Sequence, residues 1–214
     1  MSKLILSSDD FGLSKVYNQR MIEMIQSGLL SSISVMSERV TSEQSSQLEK
    51  IRELYQEKDL SLGLHLEITN TDGDAVFERQ WDQFENLLGL TPNYVDVHKG
   101  HFNNITFDTV AKFCLSRSVY FRKYNETTIF VSSPAQSFTA TYQDLDIINK
   151  WIGNFDRDLT YELIFHIGKF DPDCKSSLNQ EREIDVEKLR RVHQLLAEKR
   201  ISVVSYKSLT ARVI

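Results

Sequence analysis

Short apolar runs alternate with longer amphipathic ones along the whole chain. Leu4–Ser7 reads as a buried strand, and Ser14–Ser27 as a helix that Gly28 can stop. Ser32–Met36 reads as the next strand. Glu43–Glu57 reads as a helix with Leu48, Ile51, Leu54 and Tyr55 on one face, and Leu60–Leu66 as a strand. The pattern then predicts a helix over Trp81–Leu88, a strand over Tyr94–His98 and a helix over Phe107–Arg117. Val119–Lys123 and Thr128–Val131 are short strand candidates. Tyr142–Phe155 and Asp185–Glu198 read as helices, Glu162–Ile167 and Ile201–Tyr206 as strands. Strands that alternate with helices imply a parallel α/β fold, and about eight of them suit an irregular (β/α) barrel resembling a TIM barrel. An open doubly wound sheet is the other arrangement this order allows.

With 214 residues, no Gly/Pro-rich linker and no internal repeat, residues 1–214 are expected to form one domain, shorter than a full eightfold barrel. Apolar residues make up 41% and charged residues 26%, a globular mix rather than a disordered one. The net charge of −5 argues against a nucleic-acid partner, which needs a basic face. No apolar run is long enough to span a membrane, and MSKLILSSDDFG has no signal-like apolar stretch. With two cysteines, Cys114 and Cys174, not spaced as a redox pair, the chain reads as cytoplasmic.

The polar residues at strand ends change the picture most. Asp9 and Asp10 follow the first strand. His65 lies near the end of LGLHL, Asp96, His98 and His101 at the end of YVDVHKGH, and His166 at the end of ELIFHIG. Four of the five histidines thus fall at the C-terminal edge of predicted strands, where parallel α/β folds do their chemistry. A single such histidine, or an aspartate pair before a helix, is more often structural. It is the clustering that carries weight. An aspartate with two histidines can hold a divalent ion and leave positions open for water and substrate. A further carboxylate and a further histidine can move protons, which together describes hydrolysis of an amide or ester. Asp9 and Asp10 can reach one site only if the chain turns there, since strand neighbours face opposite ways. The DFG tripeptide Asp10–Gly12 lacks the other kinase segments, and no G-x-S-x-G elbow or P-loop occurs.

The segments SSDDFGLS, LSLGLHLEIT, YVDVHKGHF, YELIFHIGKFD and EREIDVEKL, in this order, resemble those of the YdjC/ChbG-like carbohydrate (chitooligosaccharide) deacetylases. The resemblance implies an irregular β/α barrel and removal of an N-acetyl group from N-acetylglucosamine-containing saccharides. It implies one divalent metal ion, zinc or magnesium foremost with manganese, cobalt or nickel allowed, on Asp10, His65 and His98. Asp9 would be the general base and His166 the acid or transition-state stabiliser. His101 and Arg122 would contact substrate, and Asp96 would orient a neighbouring histidine. A small N-acetylated sugar is the implied partner, and a homodimer is compatible with the sequence. Other readings of the same residues are a metal-dependent hydrolase of a different acyl or phosphate ester, and a non-catalytic sugar-binding relative. The chain departs from the family pattern at Ser7, around Gly100–His101 and at Ile167, where the family usually has Asn, further histidines and Pro.

Overall fold

A computed structural model describes residues 2–100, 102–122 and 135–209. The elements run β1 (Lys3–Phe11), α1 (Lys15–Gln26), β2 (Ser32–Val35), α2 (Ser45–Glu57), β3 (Ser61–Leu66), α3 (Asp74–Leu88) and β4 (Tyr94–Val97). They continue α4 (Asn104–Ser116), β5 (Tyr120–Phe121), β6 (Ala135–Thr139), α5 (Leu145–Gly153), β7 (Thr160–Phe165), α6 (Glu181–Lys199) and β8 (Ser202–Val204). All strand pairs are parallel, in the order β5-β4-β3-β2-β1-β7-β6, with β8 against the start of β1. This is the expected irregular β/α barrel. No helix of the described residues is long and apolar enough to cross a membrane.

Alternation along each strand sorts its residues between two faces. Leu4, Leu6, Ile33, Val35, Leu62, Leu64, Val95, Val97, Leu163 and Phe165 belong to the main apolar core, which the buried sides of the helices complete. The intervening residues meet on the other face. There Tyr94 and Tyr206 stack at 4.2 Å beside Ile5. Next to them Ser7, Ser34, Asp96, Arg122 and Glu162 form a hydrogen-bonded polar layer. Gly63 makes room for this packing, because a Cβ there would lie 2.3 Å from the Tyr94 ring.

Local signals set the boundaries. Ser14 caps α1 by accepting hydrogen bonds from the backbone N–H groups of Val16 and Tyr17. Asn103 caps α4 in the same way. Gly89 ends α3 with φ of 68°, a left-handed conformation that glycine adopts freely. Beyond shifts of a few residues at helix ends, three differences from the sequence reading stand out. Helix α3 starts at Asp74 rather than Trp81, and buries Phe77 and Gln80 as well as Trp81, Phe84 and Leu88. The sixth strand is Ala135–Thr139, with no fully buried residue, whereas Thr128–Val131 lies outside the described residues. Strand β1 runs on through Asp9 and Asp10 instead of ending before them.

Candidate active site

The two aspartates reach one site because β1 is irregular where they stand. Its register with β2 shifts between Ser8 and Phe11, and Asp10 has φ of 72°. A bulge with a left-handed residue swings the side chain that strict alternation would send outward back beside its neighbour. Aspartate tolerates that conformation better than most residues. Gln44 and Asn18 hold the following turn through Gly12, donating to its carbonyl and accepting from its N–H respectively.

Asp10, His65 and His98 converge. Asp10 Oδ1 lies 3.3 Å from His65 Nε2 and 3.1 Å from His98 Nδ1, and these two nitrogens are 3.1 Å apart. Asp10 Oδ1 is buried and makes no hydrogen bond. His65 Nδ1 faces Asp96 Oδ1 at 3.0 Å and donates its proton there, which leaves the Nε2 lone pair aimed at the other two atoms. Atoms with lone pairs repel at this separation unless a cation or a proton lies between them. A four-coordinate ion with bonds of roughly 2.0–2.1 Å needs ligands about 3.3 Å apart, so the donor set and spacing fit a divalent metal. Asp96 thus orients His65 in the manner of carboxylates that support metal-binding histidines.

The charges agree. Burial alone would raise the Asp10 pKa, but the neighbouring His65 and His98 hold it well below the usual carboxylate range. Burial alone would lower the His65 pKa, but Asp96 and Asp10 carry it well above its ordinary value. Both directions describe a cluster that attracts positive charge.

Asp9 is 2% exposed and accepts a 2.6 Å hydrogen bond from Arg122 Nη1. Arg122 is itself fully buried. It donates to Asp96 Oδ2, to Glu162 Oε1 and to the Tyr94 hydroxyl. The sequence reading put Arg122 against the substrate. Arg122 is fully buried among three carboxylates and hydrogen-bonds to Asp9 and Asp96. His101 lies outside the described residues.

His166 follows β7 and lines the cleft together with Asp10, His65 and His98. Its Nδ1 is 2.8 Å from Thr141 Oγ1, which is 2.6 Å from Asp185 Oδ2. The same Asp185 oxygen accepts from the His166 backbone N–H, and Lys188 approaches Oδ1. Thr141 donates its hydroxyl proton to Asp185 Oδ2, so the Thr141 oxygen accepts from Nδ1–H of His166. Nε2 is then the nitrogen at which His166 exchanges protons. Burial lowers its pKa, with Asp10 and Asp9 opposing.

Asp9, Asp10, His65, His98 and His166 all face one cleft of about 630 Å³. The segment Cys174–Leu178 forms part of its wall, and a smaller groove beyond His98 and Lys99 ends at Phe102. Trp81 is 2% exposed and packs edge-on against Phe113, away from the cleft lining. Four buried polar groups at the site were not picked out from the sequence: Thr141, Glu162, Arg182 and Asp185. Glu162 carried a signal, a carboxylate inside the apolar strand TYELIF. Thr141 carried none.

Residues 3–79 match the family described as YdjC-like protein. A carbohydrate deacetylase from Clostridium beijerinckii is 24% identical over 254 residues, covering 97% of this chain and 100% of that protein. Among solved structures, a candidate cellobiose-phosphate cleavage protein from Enterococcus faecalis superposes with a TM-score of 0.79 at 18% identity, over 98% of this chain and 99% of the other. A family 4 acetyl xylan esterase from Clostridium thermocellum, in complex with a cobalt ion, superposes with a TM-score of 0.51 at 13% identity, over 96% and 95%. The structural likenesses are likenesses of fold. The family match over residues 3–79, the full-length relative and the shared barrel agree with the motifs at Asp9–Asp10, His65, His98 and His166: the chain is similar to the YdjC-like proteins.

Proposed function

We propose that the protein is a metal-dependent hydrolase that removes an N-acetyl group from an N-acetylglucosamine-containing saccharide and releases acetate. The observation that carries this reading is the convergence of Asp10 Oδ1, His65 Nε2 and His98 Nδ1 in a cleft that also holds Asp9 and His166. The carbohydrate deacetylase of C. beijerinckii supports the substrate class. The cobalt-bound esterase of C. thermocellum supports a divalent ion in this fold. One aspartate and two histidines suit zinc or cobalt best among the ions such open sites accept.

A divalent ion bound by Asp10, His65 and His98 polarises a carbonyl and makes water more acidic. The chain's own residues do the rest. Asp9, held by Arg122, takes a proton from the attacking water as its oxygen reaches the acetamide carbon. Asp96 fixes the ring of His65. His166, with Nδ1–H committed to Thr141, acts as the acid in its doubly protonated form, whose charge Asp9 and Asp10 favour, and gives the Nε2 proton to the departing amine. The carbon–nitrogen bond breaks, and the products are acetate and a free amino sugar.

The test is acetate release from N-acetylglucosamine and short chitin oligomers. It is run with zinc, magnesium or cobalt, with a chelator, and with His98→Ala as control. The proposal expects metal-dependent release that disappears in the variant. Release from O-acetylated sugars or hydrolysis of phosphate esters, without release from N-acetyl sugars, overturns the substrate and keeps the site. Neither metal binding nor hydrolysis overturns the enzyme reading.

A further inference from the structure

Asp10 has two carboxylate oxygens, and only one faces the histidines. The other, Oδ2, accepts a 2.6 Å hydrogen bond from Arg182 Nη2. Arg182 stands in the first turn of α6 and is fully buried. We propose that Arg182 is a positioning residue for the metal site: by occupying Oδ2 of Asp10 it leaves Oδ1 as the single oxygen offered to the ion. This rests on the metal reading above.

The surroundings of Arg182 are built around that contact. Its guanidinium carbon lies 3.9 Å over the centre of the Tyr17 ring, close enough for a cation–π interaction. Gly168 provides the space, since a Cβ there would fall 2.8 Å from both Arg182 Cδ and Tyr17 Cδ1. Helix α1, the loop after β7 and α6 therefore meet at one guanidinium. Apart from Asp10, its hydrogen-bond partner among the described residues is Ser176 Oγ at 3.3 Å, and Nε and Nη1 have no partner among them. A buried cation with two unsatisfied nitrogens is a poor structural device. The same volume filled by an apolar residue would pack at lower cost. What an apolar residue cannot do is hold one oxygen of Asp10.

The backbone of Asp10 makes this control matter. A left-handed residue in a bulge has lost the strand geometry that normally aims its side chain. Arg182 restores a fixed aim from outside the strand. It also places a permanent positive charge beside the carboxylate, which makes that carboxylate a weaker donor to a second cation. Arg182 therefore trades ion affinity for a defined, open coordination, the arrangement a hydrolytic ion requires if water and substrate are to reach it.

Cobalt binding separates this proposal from a purely structural role, because cobalt's visible absorption reports coordination number and its titration reports affinity. The full chain is loaded with cobalt as wild type, as Arg182→Met, and as Gly168→Ala, which displaces the guanidinium without removing its charge. The expected result for Arg182→Met is an absorption per cobalt that falls by about half or more as the second oxygen joins the ion, with affinity at least equal to wild type. Gly168→Ala is expected to weaken the absorption in the same direction, and serves if the first variant does not fold. An unchanged spectrum in a folded variant, or weaker binding with the wild-type spectrum, overturns the proposal. Failure of the wild-type chain to bind cobalt overturns the metal reading and this one with it.

Discussion

Thr141 has one hydroxyl proton and two neighbours able to take it. Asp185 wins, and His166 must supply its own Nδ1 proton in return. Thr141→Val keeps the shape and removes both bonds. The expected outcome is a fall in kcat of about tenfold or more, the order of one charge-assisted hydrogen bond, with metal affinity unchanged and recovery in Thr141→Ser. Steady-state kinetics beside metal titration check it. His166 also predicts a pH effect on stability. Its pKa lies below the ordinary value of 6.5 in the folded chain. Between the two values the unfolded chain binds more protons, so stability rises with pH through that window and is lost on acidification below about 6.5. Urea unfolding in the presence of a chelator, from pH 5 to 8, should show an acid-side loss that is smaller in His166→Gln. At this scale the sequence was legible where function uses rare residues in exposed patterns, as with Asp9–Asp10, His65, His98 and His166. It was not legible for Arg122, Arg182 and Asp185, whose roles depend on partners distant along the chain.

Among the elements, β3 and β4 show how closely the strands are fitted. Gly63 pairs in register with Tyr94, whose ring fills the space a side chain would need. Gly63→Ala is expected to cost roughly 1–3 kcal/mol, the usual range for overpacking a filled interior, and to disturb the Tyr94 contacts with Ser32 and Arg122. Thermal unfolding measures the first effect and loss of activity the second. The strands were readable because aliphatic residues recur at every second position, as in SISV, LGLHL and YVDV. The alternate positions are serine, histidine, glycine, tyrosine and aspartate, which already describes a polar barrel interior. Strand β6 was not readable because AQSFT leaves every side chain partly exposed and has no such rhythm. The first two turns of α3 were missed because Asp74–Gln80 mixes charged residues with isolated apolar ones, and only packing of Phe77 reveals the helical face.

For the whole molecule, the buried charges dominate. Arg122 is in contact with Asp9, Asp96 and Glu162, all within the barrel. Arg122→Met leaves these carboxylates uncompensated, and the expected loss is about 3–5 kcal/mol, the range for breaking a buried ion pair. Chemical denaturation checks it, and the loss should diminish when Glu162→Gln is added. Ion binding acts on the same balance. At a free ion concentration one hundred times the dissociation constant, a site that exists only in the folded chain adds about 2.7 kcal/mol of stability. Removal of metal with a chelator should therefore lower Tm in the wild type and leave His98→Ala unmoved. The barrel itself followed from the order of elements, since strands and helices alternate throughout. Its polar interior layer was visible only in fragments, because each strand contributes one or two residues to it.

One cation, Arg122, grips both Asp9, the proposed base, and Asp96, the carboxylate that faces His65 of the proposed metal site. These two halves of the chemistry consequently share a single hinge pin. A lineage that altered the base at Asp9 would shift the guanidinium, and with it Asp96 and His65. A lineage that altered the ion's surroundings through Asp96 would disturb the base in turn. Substitutions at positions 9 and 96 should therefore be strongly non-additive in a double-mutant cycle. Descendants of such a site drift together or lose the reaction together, and a new acyl specificity is more accessible through the cleft walls around Cys174–Leu178 than through the pin.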